Sequence, residues 1–451
     1  MSNEVDVVVI GLGPGGESAA TKLAQAGLEV IGVDERLVGG ECPYFGCVPT
    51  KMMVRAANLL AEGRRVTTMA GGSTVTPHWQ SVAQRISREA TDGWDDKVAV
   101  ERLEKAGVRF VRGHARLTGP RAVSVDDQSF TARRGVLLNT GTAPTVPPID
   151  GLADAPYWTN RDAVRVTELP SSLIVIGGGA IGAELCQAFA RFGVDVTVVE
   201  NADRILAVEE PEASGVVADV FAAEGIRVLT GVEARSVAYD EGRFTVDADG
   251  EMLHADKLLV ATGRRTNLSD IGLDTVGLDP QARSIETDPR MRAGEGLWAV
   301  GDMTGKGAFT HISMYQAVVA VRDILGEDGP EADYRAVPRV TFTDPEVGSV
   351  GITEQQARDQ GMEVRVAVSP LPGSTRGWIH QAGNDGVIKL VEDSRRGVLV
   401  GATSAGPAGG EVLSMLTTAV HAEVPTATLR SMIYAYPTFH RAVEDALGRL
   451  E

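Results

Sequence analysis

The chain has 451 residues, with 43 Lys and Arg against 61 Asp and Glu for a formal net charge of −18, and three cysteines. That length exceeds one ordinary domain and predicts two to four, while the acidic balance argues against a nucleic-acid or anionic-membrane partner, which would need a basic face. Three cysteines rule out a disulfide framework, and the opening MSNEVDVVVIGLG has no basic n-region and an apolar run of strand length, so a secretory signal and a bilayer span are not expected and the cytoplasm is the expected compartment.

In chain order, residues 5–10 are short, apolar and Val-rich, and predict a buried strand. The run enters Gly11-Leu12-Gly13-Pro14-Gly15-Gly16. Ala19, Ala20, Leu23 and Ala26 then keep helical spacing, and a second strand predicted over 29–33 ends at Asp34, with Glu35 beside it. Strand, glycine turn, helix, strand and acid are the parts of a dinucleotide-binding unit. The first glycine permits the tight turn, the second lets backbone approach a pyrophosphate, and the third lets helix pack on strand. The helix N-terminus offers N–H groups and partial positive charge to phosphate, and Asp34 can accept hydrogen bonds from ribose hydroxyls.

Residues 39–51 read GGECPYFGCVPTK. Cys42 and Cys47 stand where a glycine loop gives way to a helix predicted to begin near 46–49, and their spacing lets them meet across its first turn. In isolation they read either as small buried apolar residues or as a redox pair. Pro43, Tyr44 and Phe45 between them either line an entrance or pack.

The first device recurs downstream. A strand over 173–176 leads into Gly177-Gly178-Gly179-Ala180-Ile181-Gly182, a helical stretch over 183–192, and a strand over 194–199 ending at Glu200. First glycine and acid are 23 positions apart in both copies, 11 to 34 and 177 to 200. Two such units imply two dinucleotides. A carboxylate at Glu200 welcomes a ribose diol and repels a 2′-phosphate, which favours NAD(H) over NADP(H). The following Asn201-Ala202-Asp203-Arg204 is no arginine cluster, and Arg204 alone softens that preference. Cys186, mid-helix in AELCQAF, reads as core. No His/Cys cluster has zinc-site spacing, so no metal site is expected. The polar stretch GEDGPEADYR at 326–335 reads as a linker, and residues 421–447 as helix, break at Pro437, and helix, with apolar spacing that suits a dimer seam as well as a core.

Taken together these segments resemble the pyridine nucleotide–disulfide oxidoreductases, the flavoprotein family of dihydrolipoamide dehydrogenase, glutathione reductase and mercuric reductase. GGECPYFGCVPTK is similar to the family's redox stretch GGxCxxxGCxPSK. LLNTGTAP at 137–144 and ATGRRTN at 261–267 look like its paired crossovers, LWAVGDMTGKGAFTH at 297–311 like its second flavin stretch, and VPRVTFTDPEVGSVGIT at 337–353 like the opening of its interface domain. The resemblance implies an α/β fold with two Rossmann-like dinucleotide-binding domains and an α+β C-terminal dimerisation domain. The expected division is 1–150 and 264–331 for FAD, 151–263 for NAD(H), and 332–451 for a homodimer interface with the active site at the subunit boundary.

It further implies that FAD is held by the first glycine turn, Asp34, Glu35, Gly40, Ala115, Thr140, Gly141, Gly301 and Asp302, and NAD(H) by 177–182, Glu200 and Gly263. Cys47 would lie against the flavin and Cys42 nearer the acceptor, with Lys51 by the flavin and paired to Glu184. The family's C-terminal HxHPTxxE supplies a histidine base oriented by a glutamate. Here the matching stretch is YAYPTFHRAVED at 434–445, with Tyr436 at the histidine's position and Arg441 at the glutamate's. His440, four residues on, lies one helical turn away and either reaches the same side as a replacement for the base or merely packs, while Tyr436 is expected to line the acceptor site. The mercuric reductase tail also carries a tyrosine there, but its vicinal cysteine pair has no counterpart in LGRLE, which argues against a dedicated mercury enzyme. The expected activity is electron transfer from NADH through FAD to a Cys42–Cys47 disulfide and on to a disulfide acceptor, as in dihydrolipoamide dehydrogenase. The alternatives are a quinone- or diaphorase-type reductase of a small acceptor that needs no base, and a non-catalytic flavin-binding partner protein.

Overall fold

A computed structural model describes residues 3–450, which divide into two compact units. The first combines the segment up to Pro49 with Gln84–Thr145 and Arg264–Tyr334; the second combines Thr50–Ala83 and Val146–Gly263 with the segment from Arg335 onward.

In the first unit the strand Glu4–Ile10 sits at the centre of the sheet, parallel to Val30–Asp34 on one side and Gln128–Leu138 on the other. Its sequence explains that place. Val7 and Val9 join one hydrophobic core, Val8 and Ile10 the other. A strand apolar on both faces is stable only where both faces are covered. The first core is closed by the helices Pro14–Gln25 and Thr310–Leu325, which contribute Ala19, Leu23, Ala317 and Ile324. Val108–Arg112 extends the sheet beyond Val30–Asp34, and Leu297–Ala299 extends it beyond Gln128–Leu138. Each fully buried Val or Ile contributes roughly 1.5–3 kcal/mol relative to exposure.

The second unit repeats the plan on a smaller sheet. Ser172–Ile176 pairs in parallel with Asp195–Glu200 and with Lys257–Val260, and Arg227–Thr230 lies outside Asp195–Glu200. An antiparallel sheet follows in the order Pro338–Thr341, Glu346–Gly351, Val398–Gly406, Val387–Asp393, Val364–Pro370. Leu413, Leu416 and Val420 of the helix Gly409–His421, with Val443 and Leu447 of the helix Ala442–Leu447, complete its core. The α/β class, the duplicated parallel unit and the α+β C-terminal part are those the sequence predicts.

Within this unit buried charges join the parallel and antiparallel parts. The Lys389 ammonium, 3% exposed, meets Glu210, Glu212 and Glu354, each at 2.9 Å. Burial opposes its charge, but hydrogen bonds to the three carboxylates outweigh that and raise its pKa. Arg191 likewise donates to Glu224 and to Asp344, the latter at 2.8 Å.

The tail departs from helical spacing. Between the helices Thr426–Ser431 and Ala442–Leu447, residues 432–441 form no helix. His440 is therefore not one helical turn from Tyr436, and its ring faces Tyr434 with centroids 6.1 Å apart. The cis peptide Tyr436–Pro437 lies in this stretch.

Candidate active site

The two glycine turns have the same atomic construction. Gly11 and Gly177 both take positive φ, +88° and +105°. A Cβ on Gly16 would stand 2.0 Å from the Gly11 carbonyl oxygen, and one on Gly182 would stand 2.0 Å from that of Gly177. Each turn thus closes so tightly that the third glycine admits no side chain. The acids repeat too. Asp34 accepts the N–H groups of Leu12 and Arg36, both at 2.8 Å. Glu200 accepts those of Gly178 at 2.6 Å and Ala202 at 2.8 Å. In both copies the acid binds the residue after the first glycine and the residue two beyond itself. Burial raises the pKa of Asp34 despite these bonds. The helices Pro14–Gln25 and Ala180–Arg191 start behind Gly13 and Gly179, with no side-chain cap on either. A helix start without a capping side chain of its own fits pyrophosphate.

In the first unit the turn is backed by a residue sequence reasoning missed. Asn139 Oδ1 accepts the Gly16 N–H at 2.7 Å, while its Nδ2 donates to the Val300 carbonyl at 3.0 Å and to Ser313 Oγ at 3.2 Å. One buried amide therefore ties the glycine turn to the segment carrying Gly301 and Asp302. Thr140 Oγ1 donates to the Asn267 carbonyl at 3.0 Å, and Gly141 has φ +63°. Thr142 Oγ1 donates to Asp302 Oδ2 at 2.7 Å and itself accepts from Arg264 Nε at 2.8 Å. Arg264 also lies 3.3 Å from Glu41. Gly40, at φ +68°, packs so closely that a Cβ would approach Gly13 Cα to 2.9 Å. Ala115 is buried, and the preceding His114 lies between Glu35 at 2.9 Å and the Asp270 carbonyl at 3.1 Å. Those two hydrogen bonds raise its pKa. Asn139, Thr142 and Arg264 lie in or at the start of the crossover segments, so position was the available signal.

The cysteines are brought together by a short helix, Glu41–Tyr44, and the turn after it, where the Glu41 carbonyl accepts from Phe45 at 2.8 Å and Gly46 at 2.7 Å. Cys47 is the first residue of the helix Cys47–Met69. Cys42 is half-buried and Cys47 exposed. A hydrogen bond to Cys47 and then burial push the Cys42 thiol up, and the Thr310 hydroxyl opposes them. Thr310 Oγ1 lies 3.5 Å from Cys47 Sγ. Tyr44 is buried and packs; Pro43 and Phe45 are partly exposed. Cys186 is fully buried, as its core reading expects.

In the second unit Lys51 Nζ donates to Glu184 Oε2 at 2.6 Å and stands 4.8 Å from the centroid of the Phe342 ring. Glu184 Oε1 accepts the Phe342 N–H at 2.9 Å, which leaves the carboxylate little freedom. Arg204 is engaged at Asp203, 3.0 Å, and at the Ala207 carbonyl, 2.8 Å. A Cβ on Gly179 or Gly263 would meet nothing within 4 Å, so the backbone there borders open space. In the tail Tyr436 is 66% exposed. The Arg441 guanidinium lies 5.4 Å from its ring centroid and pairs with Glu444 at 2.8 Å.

Comparison with known proteins places this arrangement. Residues 5–322 match the family described as pyridine nucleotide-disulphide oxidoreductase, and residues 337–447 match that family's dimerisation domain. The chain is 35% identical to a dihydrolipoyl dehydrogenase of Halobacterium salinarum, covering 99% of this chain and 96% of the relative. It is 30% identical to a mercuric reductase of Staphylococcus aureus, covering 98% and 82%. Among solved structures, the HOCl-induced flavoprotein disulfide reductase RclA of Escherichia coli, as a Cu(II) complex, superposes with a TM-score of 0.86 at 25% identity and full coverage of both chains. LpdA of Mycobacterium tuberculosis superposes with a TM-score of 0.86 at 25% identity, covering 99% and 100%.

Proposed function

The chain belongs to the pyridine nucleotide–disulfide oxidoreductase family, FAD-dependent enzymes that use a pyridine nucleotide, and from that premise we propose that NADH reduces a Cys42–Cys47 disulfide which passes the electrons to a small acceptor. The observation that carries the reading is the placement of Cys42 in the short helix Glu41–Tyr44 and of Cys47 at the start of the next helix, one turn on. Bound FAD supplies the two-electron carrier between nucleotide and disulfide. The residues of the chain do the rest. The first glycine turn and Asp34 hold the FAD pyrophosphate and ribose, and Asp302, fixed by Thr142, holds its ribityl hydroxyls. The second turn and Glu200 hold NADH. Lys51, oriented by its ion pair with Glu184, supplies positive charge that favours the reduced state. Cys47, at a helix N-terminus, is the residue whose thiolate is favoured, and Cys42 is the sulfur that attacks the acceptor. The chain works as a homodimer through its family dimerisation domain.

Anaerobic NADH titration of the purified protein tests this. Uptake of four electrons per subunit, with bleaching of the flavin, is the expected result; two would mean that the cysteines are idle, and none would sink the reading.

A second reading is favoured by the tail. With a phenol and a guanidinium in place of a histidine and a carboxylate, the tail lacks the family's imidazole base, and general acid–base help is worth roughly 10²–10⁴ in rate. An acceptor that needs no base, such as a quinone or a thiophilic metal ion, suits that tail, and mercuric reductase and the Cu(II)-bound RclA are among the relatives. NADH oxidation with lipoamide against a soluble quinone, repeated with Cys42→Ser, separates the two. Loss of lipoamide turnover alone marks a thiol route for lipoamide and a direct flavin route for quinone.

A further inference from the structure

The family's base is missing from the tail, yet a hydroxyl already touches the redox sulfur from within the same unit. Thr310 Oγ1 lies 3.5 Å from Cys47 Sγ, and either atom can be the donor. A hydroxyl donates to an anion and, after rotation, accepts from a neutral donor. It can therefore partner Cys47 both as thiolate and as thiol, which a methyl group cannot. Thr310 opens the helix Thr310–Leu325, whose N-terminus adds partial positive charge, as does that of Cys47–Met69 at Cys47 itself. Cys42 lies in the short helix Glu41–Tyr44, and the turn closed on the Glu41 carbonyl leads from it directly into Cys47; a hydrogen bond to Cys47 pushes the Cys42 thiol up.

We propose that Thr310 is a catalytic residue, and that the thiol pair carries its own proton relay: Cys42 hands its proton to the Cys47 thiolate, with the Thr310 hydroxyl reversing its role as Cys47 changes state. The inference rests on the reading of Cys42 and Cys47 as the working pair. With a small disulfide RSSR as acceptor, the reduced pair begins as Cys42–SH and Cys47–S⁻. The Cys42 proton moves to Cys47, and Cys42–S⁻ attacks RSSR, forming the Cys42–S–S–R bond and breaking the R–S–S–R bond to release RS⁻. The proton on Cys47 passes to that RS⁻. Cys47–S⁻ then attacks the Cys42 sulfur, forming the intrachain disulfide and expelling the second RS⁻. Two electrons leave the pair, one proton is transferred, and the products are RSH and RS⁻.

The test uses holoenzyme reduced with dithiothreitol, freed of excess reductant under argon, and alkylated with iodoacetamide from about pH 5 to about pH 9, with the modified cysteines assigned by mass spectrometry. Thr310→Val, which keeps the shape and removes the hydroxyl, is expected to move the alkylation profile up by about one pH unit and to slow alkylation near pH 7 about tenfold; Thr310→Ser is expected to follow the wild type. A Thr310→Val profile that superposes on the wild type overturns the proposal, as does a Thr310→Ser variant as slow as Thr310→Val. Should Thr310→Val fail to fold, Thr310→Ala is judged by the same criteria. NADH takes no part in this measurement, so a pair that NADH cannot reduce counts against the proposed function and leaves the Thr310 result intact.

Discussion

Glu200 holds two backbone N–H groups with its two oxygens, which fixes its charge where the second glycine turn opens. A carboxylate has lone pairs left for a ribose diol, and its charge repels a 2′-phosphate. Under the proposed assignment of the second turn to NADH, Arg204 is held by Asp203 and the Ala207 carbonyl. Glu200→Gln is therefore expected to lower the ratio of kcat/KM for NADH over NADPH by roughly tenfold or more, the range of a charged hydrogen bond; an unchanged ratio would place discrimination elsewhere. At the same scale, His114 bears on pH. Its folded pKa is raised above the ordinary 6.5 by Glu35 and the Asp270 carbonyl. The stabilisation it brings is thus fully present below about pH 6.5 and fades as the pH rises through the folded value. The gap in melting temperature between wild type and His114→Gln should be wider at low pH than at high pH. Asp34 and Glu200 were legible in the sequence because an acid at a fixed interval after a glycine turn is a local signal. His114 was not, since its partners come from separate segments.

At the scale of elements, the two βαβ units can be broken independently. Gly16→Ala and Gly182→Ala each set a Cβ 2.0 Å from a backbone oxygen of their own turn, and overpacking of this kind costs typically 1–3 kcal/mol or more. The first variant is expected to lose FAD, read as the flavin absorbance of the purified protein. The second is expected to stay yellow and to lose reduction by NADH. Equal flavin loss in both would mean that the units are not separable. These elements were readable because period, glycine spacing and acid all lie within one short window. The tail was not: its helical spacing predicted a turn from Tyr436 to His440, whereas residues 432–441 are non-helical and the Arg441 guanidinium faces Tyr436 instead. Residues 421–447 have helix-compatible spacing throughout, and Pro437 did not reveal how far the break extends.

For the molecule as a whole, the second unit depends on buried charge. Lys389 is the shared cation of Glu210, Glu212 and Glu354. Lys389→Met leaves those carboxylates facing one another and is expected to destabilise the protein by about 3–5 kcal/mol, a fall in unfolding midpoint on the order of 10 °C; calorimetry with Lys389→Arg as the conservative control checks it. Nothing in the sequence near Lys389 marks it, because its partners lie up to 179 positions away. The same contrast divides the whole reading. Sequence alone determined the two dinucleotide units, the paired cysteines, the family and the absence of the histidine dyad, since each is a short-range pattern of residue types. The tertiary structure alone decided that Asn139 braces the glycine turn from 123 positions away and that Thr310 reaches Cys47 across 263. A hydrogen bond depends on where folding brings two atoms, and residues far apart in the chain give no sign of it until the sheet and its helices have set the distance.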